Sequence, residues 1–288
     1  KKRHLKLAPF YNRPVNEITK GEVKRFLRSK LTKGLATSTV THIKNAIGGI
    51  FNEAIDDEII TTNPAHGIRL GSKKDDLRKP KIEPLQVDEI KMLLDTCQAE
   101  KPQDYPLVLL LISSGLRIGE GIALQWRDID FDDRTIQVRR NFVRNRIEDS
   151  TKNGKERRVD MTEQLAACLR SLKKERAAEA LKGGQGNINN NWLFPSATVD
   201  KPIDYASWRR RHFYPLLKSA ELRKVRIHDL RHTYASAMLS AGCDLFYISR
   251  QLGHHSIKVT ADVYGHLLPS KKEKPVDKLA DLLHPSAP

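Results

Sequence analysis

Residues 227–236 read IHDLRHTYAS and residues 252–266 read LGHHSIKVTADVYGH. His228 and Arg231 stand three apart, so in a helix they share one face. One offers a proton that titrates near neutral pH, the other a permanent charge. His228 and His232 have the spacing of an HExxH zinc helix, but Asp229 stands where that motif has Glu, so the metal reading is the weaker one. In the second stretch Gly253 ends one helix and Ser256 starts the next. That leaves His254 on the turn between them and Tyr264 near the end of the second helix. Taken singly, His254 reads as a satisfied structural group and Tyr264 as a half-buried core residue.

Outward from these stretches, residues 230–240, 245–252 and 256–264 carry helical patterns. Residues 105–114 are apolar all round and read as a buried helix capped by Gly115. Arg117 follows between Gly115 and Gly119, at the start of another helix, where a guanidinium suits bidentate binding of a phosphate. The competing reading is a surface ion pair with Glu120. Residues 135–138, 141–143 and 158–161 alternate apolar and polar, which predicts a small antiparallel sheet of about three strands, with Lys152 and Lys155 on a turn. Helices are also predicted over 87–97 and 163–181, the latter followed by a Gly/Asn-rich loop at 183–191.

The amino-terminal part is helical by pattern. Thr19 and Glu22 form a capping box with Ile18 and Val23 as its hydrophobic staple, opening a helix that carries Phe26 and Leu27. A second helix follows Ser38, with Val40, Ile43, Ile47, Ile50, Ala54 and Ile55 as its apolar face and Asn63-Pro64 as its stop. Residues 67–84 then run GIRLGSKKDDLRKPKIEP, a linker composition. The whole pattern is mainly α with a small antiparallel β-sheet, an α+β chain of two domains.

Charge narrows the function. Of 288 residues, 51 are Lys or Arg and 35 Asp or Glu, a net charge of +16 beside an ordinary 39% of hydrophobic residues. Such a surplus points to a polyanion, most often nucleic acid, over a basic housekeeping or ribosome-associated protein. The first 80 residues are the more basic per residue, with 17 Lys and Arg against 8 Asp and Glu. Cys97, Cys168 and Cys243 are scattered and form no CxxC, which argues against a disulfide framework or a zinc finger and suits a reducing cytoplasm. No apolar run approaches the ~20 residues of a membrane span, and no signal peptide opens the chain. The chain starts without Met, as a fragment would.

Two arginines, two histidines, a turn lysine and a tyrosine together provide charge stabilisation, a nucleophile and a proton donor for phosphoryl transfer. SGLRIGEGIALQW (114–126), STKNGKERRVDM (150–161), IHDLRHTYAS and LGHHSIKVTADVYGH, in that order, resemble the signature boxes of the tyrosine recombinase (phage integrase) family. The resemblance spans about 85–268. The stretch ATSTVTHIKNAIGGIFNEAI (36–55) is similar to that family's core-binding domain.

The resemblance implies a helical, SAM-like core-binding domain over 1–70, a linker over 71–84, a catalytic domain over 85–270 and a tail helix over 271–288 that docks on its own or a neighbouring protomer. It implies that Arg117 and Arg231 hold the scissile phosphate and that Lys152, favoured over Lys155, protonates the departing 5′ oxygen. His228 is then the base toward the nucleophile, His254 a donor to a phosphate oxygen, Glu120 the support of the arginine, and Tyr264 the nucleophile of a 3′-phosphotyrosyl intermediate. Gly121, where the family usually has a larger residue such as Ala, is a small departure.

The implied partners are double-stranded DNA at attachment or core sites, a homotetramer on paired sites, and an excisionase or DNA-bending protein. No cofactor, metal, ATP or membrane is implied. The implied setting is the cytoplasm of a bacterial host, on the nucleoid, where the enzyme integrates or excises a mobile or viral element. Alternatives are a type IB-like topoisomerase, an Xer-type chromosome or plasmid resolvase, a non-catalytic DNA-binding protein, and a metal-dependent nuclease built on His228, His232 and His254.

Overall fold

In the computed structural model, which describes residues 5–70, 83–148, 156–182, 191–196 and 201–267, Thr19 opens helix α1 (Lys20–Thr32) as its sequence demands. The Thr19 amide donates to the Glu22 carboxylate at 2.9 Å, while the Glu22 amide donates back to Thr19 Oγ1. Helix α2 (Thr37–Asp56) buries Val40, Ile43, Ile47, Phe51 and Ala54 against Val23, Phe26 and Leu27. Steps of three and four place Phe51, not Ile50, on that face. Ile50 is therefore 53% exposed, against the expectation from sequence. The helix also stops earlier than Asn63-Pro64. Glu58 turns left-handed (φ 58°), and Asn63 reaches back to donate to the Gly48 carbonyl at 3.0 Å. These residues belong to the first of two compact units, Lys1–Lys81 and Ile82–Pro288.

The second unit begins with α3 (Val87–Glu100), α4 (Tyr105–Ser114) and the short α5 (Ile118–Ile122). Strands β1 (Ile129–Asp130), β2 (Thr135–Val138), β3 (Asn141–Val143), β4 (Arg146–Glu148) and β5 (Arg157–Asp160) follow. The three-stranded antiparallel sheet has the order β1-β2-β5, with Ile136 facing both Ile129 and Val159. Residues 141–143 do not join it. They pair with β4 in a separate hairpin, because Arg144 and Asn145 both take positive φ (51° and 62°) and fold the chain back at once.

Helix α6 (Glu163–Lys182) comes next, then α7 (Tyr205–Trp208), a π-helical stretch Arg209–Phe213, and α8 (Tyr214–Ser219), none of the last three expected from sequence. Trp208 stacks on Phe213 at 5.7 Å and donates to the buried Asp104 at 2.8 Å, while Arg210 and Arg211 face outward. Pro215 sits in the first turn of α8, directly after the π-helical stretch.

The chain ends in α9 (Ile227–Ser240), α10 (Leu245–Leu252) and α11 (Ile257–Tyr264). Helix α4 is the axis of this unit, packed on by α3, α6 and α9 and buried from Pro106 to Ile112. Each such side chain contributes roughly 1.5–3 kcal/mol by leaving water. The expected turn at Lys152–Lys155, most of the linker and of the 183–191 loop, and the tail over 271–288 lie outside the described residues. Among the described residues no helix is long and apolar enough to cross a membrane.

Candidate active site

Arg231 projects from α9 into the interior and is 3% exposed. Its Nη1 donates to the Gly115 carbonyl at 2.8 Å and its Nη2 to the Leu252 carbonyl. Those carbonyls lie at the carboxyl-terminal ends of α4 and α10, where the helix dipoles place partial negative charge. One buried cation thus ties three distant segments together. The close approach requires glycine at both turns. A Cβ on Gly115 (φ 63°) would lie 2.4 Å from Tyr234 Cδ1, and one on Gly253 (φ 64°) 2.8 Å from the Arg157 side chain. Burial, then repulsion from Arg117, pulls the Arg231 pKa down to about 9, so it is still cationic at neutral pH.

Arg117 caps α5, and Glu120 one turn later is 2% exposed, which removes the reading of a surface ion pair. The Glu120 carboxylate accepts from the Arg117 amide at 2.9 Å, from Arg117 Nη1 at 2.8 Å, and from Arg157 Nη2 at 2.7 Å and Nη1 at 3.1 Å. Burial works against its charge, but the Arg157 hydrogen bonds and the charges of Arg157 and Arg117 prevail and hold its pKa at about 2. Arg157 Nε also donates to the Gln251 carbonyl at 3.1 Å. Sequence reasoning missed Arg157. It opens β5 beside Arg158, which is exposed and paired with Asp133, and nothing local tells the two apart.

The imidazoles surround this centre. His228 keeps a solvent-facing edge, but desolvation and then the charges of Arg231 and Arg117 lower its pKa. His254 is half-buried on the turn between α10 and α11, and its Nδ1 lies 2.7 Å from Thr260 Oγ1. Burial, Arg231, Arg117 and Arg157 push its pKa down to about 4. Tyr264 is 3% exposed at the end of α11, and its hydroxyl lies 2.6 Å from Nδ1 of His232. Burial raises its pKa to about 12 against the pull of Arg231. His232 entered the sequence reading only as a metal candidate, yet its pKa, lowered to about 4 by burial and then by His228, belongs to this site.

The fold therefore gathers Arg117, Glu120, His228, Arg231, His254 and Tyr264, while Lys152 lies outside the described residues. Among the described residues no three His, Cys, Asp or Glu side chains are placed to hold a metal ion, so the expected alternative of a His228/His232/His254 ligand set is not assembled. Partly fixed cations around a buried phenol can neutralise an anionic phosphate and stabilise charge developing on it.

Residues 83–271 match the phage integrase family. The chain is 28% identical over 278 residues to the ICEBs1 integrase of Bacillus subtilis (strain 168), covering 95% of this chain and 74% of that protein. It is 26% identical to an XerC-like tyrosine recombinase of Caldanaerobacter subterraneus subsp. tengcongensis, covering 98% and 75%. The solved structure of the Tn1549 transposon integrase with transposon right end DNA superposes at a TM-score of 0.74, with 24% identity and 99% and 91% coverage. A lambda integrase dimer on a COC′ core site superposes at 0.62, with 20% identity and 89% and 86% coverage. The chain belongs to the phage integrase family of tyrosine recombinases and is a site-specific DNA recombinase.

Proposed function

We propose that this chain cuts and rejoins duplex DNA through a 3′-phosphotyrosyl bond at Tyr264. Attack of the phenolic oxygen, which gives its proton to a neighbouring imidazole, forms the phosphotyrosine and expels the 5′ oxygen, which takes a proton from Lys152. Arg117 and Arg231 carry the charge of the non-bridging oxygens, His228 and His254 stand beside them toward the phosphate, and Glu120 fixes Arg117. Rejoining reverses the step, and because the phosphotyrosine conserves the energy of the broken bond, no ATP is consumed. The observation that carries this reading is the seat of Arg231, bonded to the ends of α4 and α10, with His254 and Tyr264 close enough to feel its charge.

The likeness to the ICEBs1 and Tn1549 integrases supports integration or excision of a mobile element as the task. The XerC-like relative supports a second reading, resolution of chromosome or plasmid copies. In either case residues 1–70 and the catalytic domain both bind the duplex, four protomers act on two sites, and the tail over 271–288 docks within or between protomers. An excisionase or DNA-bending partner sets direction, and the reaction takes place in the cytoplasm of a bacterial host on its nucleoid.

A duplex nicked beside the cleavage point tests the chemistry, since the released fragment diffuses away and traps the adduct. Denaturation-resistant protein–DNA adduct is expected from the full chain, and none from Tyr264→Phe. Cleavage without any adduct contradicts the proposal.

A further inference from the structure

A phenol that attacks phosphorus must lose its proton, and the contact that receives it is already in place. We propose that His232, rather than His228, is the proton acceptor for Tyr264 and so a catalytic residue of cleavage and rejoining. The proposal rests on Tyr264 being the nucleophile. Nδ1 of His232 is the hydrogen-bond partner of the Tyr264 hydroxyl, at 2.6 Å. His228 meets the His232 ring edge-on, with centroids 5.0 Å apart, and its strongest charged neighbours are Arg231 and Arg117. The two imidazoles thus differ: one meets the phenol at hydrogen-bond distance, while the other feels Arg231 and Arg117 as its strongest charges.

The step balances without a further reactant. As the phenolic O–P bond forms, the phenolic proton passes to Nδ1 of His232, which must be the unprotonated nitrogen of a neutral ring to accept it. The P–O5′ bond breaks with its electron pair on the 5′ oxygen, which takes its proton from the general acid. Rejoining returns the imidazolium proton to the phenolic oxygen. The groups facing the His232 ring are His228, Asp229, Arg226 and Arg231 from α9 and its cap, and Tyr264 from α11. Burial and the cations among them keep the ring neutral and ready to accept, and Asp229 opposes them. A bound phosphodiester adds negative charge and makes the ring more basic when a proton has to move.

The test is single-turnover adduct formation by the full chain on the nicked duplex, followed across pH. His232→Asn keeps an acceptor oxygen near the Nδ1 position but cannot hold the proton. Loss of a general base costs about 10²–10⁴-fold, so this variant is expected to cleave at least about 10²-fold more slowly at neutral pH. Its rate should rise in proportion to hydroxide, with DNA affinity unchanged. A ring-fluorinated, more acidic tyrosine at 264 should restore the rate in His232→Asn, which a merely structural role would not allow. A wild-type rate and pH profile in His232→Asn overturns the proposal, as does finding this signature in His228→Asn instead. If His232→Asn does not fold, the fluorinated tyrosine in the otherwise unaltered chain decides: the acid limb of the rate profile, set by protonation of the His232 ring, should stay in place, and a limb that moves down with the acidity of the phenol overturns the proposal. Failure of the nucleophile assignment shows itself separately, as adduct still formed by Tyr264→Phe.

Discussion

Two imidazole–hydroxyl pairs flank helix α11. At its start His254 Nδ1 meets Thr260 at 2.7 Å; at its end His232 Nδ1 meets Tyr264 at 2.6 Å. Both rings have pKa values pushed down to about 4, and both sense Arg231. The contacts are alike, but the hydroxyls are not. An aliphatic hydroxyl does not ionise in the range where proteins work, whereas a phenol has an ordinary pKa near 10. The same contact therefore fixes a ring in the first pair and holds a reacting group in the second. Geometry finds both pairs, and only the acidity of the oxygen assigns their roles.

The largest effect should come from removing the phenolic oxygen while keeping its ring. Tyr264→Phe is expected to bind DNA in a gel-shift assay and to form no covalent adduct; an adduct from another residue would end the distinction between the pairs. Next is Arg231→Lys, which keeps a charge but cannot reach both helix-end carbonyls. Removing one preorganised donor costs about 10²–10³-fold, and cleavage in single turnover should fall by that much. A full rate would mean that neither pair depends on the guanidinium seat.

Thr260→Val sharpens the comparison from the other side. It preserves shape but leaves His254 Nδ1 without its hydroxyl, so denaturant unfolding should show a loss of about 1 kcal/mol. Cleavage should slow by no more than about tenfold, the equivalent of ~1.4 kcal/mol. A loss as complete as that of Tyr264→Phe would make the pairs equivalent.

Smallest at neutral pH, where it vanishes, is an effect of titration that concerns both rings. Their pKa values lie near 4 in the folded chain against an ordinary 6.5. Above 6.5 the folded and unfolded chains both hold them neutral, and stability does not change on their account. Between about 6.5 and 4 the unfolded chain takes up protons first, so thermal unfolding should occur at progressively lower temperature, and the loss should level off below 4. A midpoint that stays flat over that interval would contradict the burial of both rings.

Much of this was legible in the sequence where local chemistry decides structure. Helix α4 follows from an apolar run, α1 from its capping box, and the junction of α10 and α11 from Gly253 and Ser256. Helices α7 and α8 were hidden because the run Arg209–His212 and Pro215 mask the buried residues Trp208, Phe213, Leu216 and Leu217. The β3–β4 hairpin was hidden because its turn uses Arg144 and Asn145 with no glycine. In the site, Arg117, His228, Arg231, His254 and Tyr264 stand out as polar residues at turns and helix faces. Arg157 and the partner of Tyr264 do not, because their contacts join residues 94 and 32 positions apart. Periodicity carries no signal at that range.

The most direct test of the account is to digest the adduct trapped on a nicked duplex, map the modified peptide by mass spectrometry and identify the ends of the cut strand. The account predicts nucleotide attached through its 3′ phosphate to Tyr264 and a free 5′ hydroxyl on the other fragment. Attachment to a different residue, or a free 3′ hydroxyl opposite a 5′ phosphate, would contradict it.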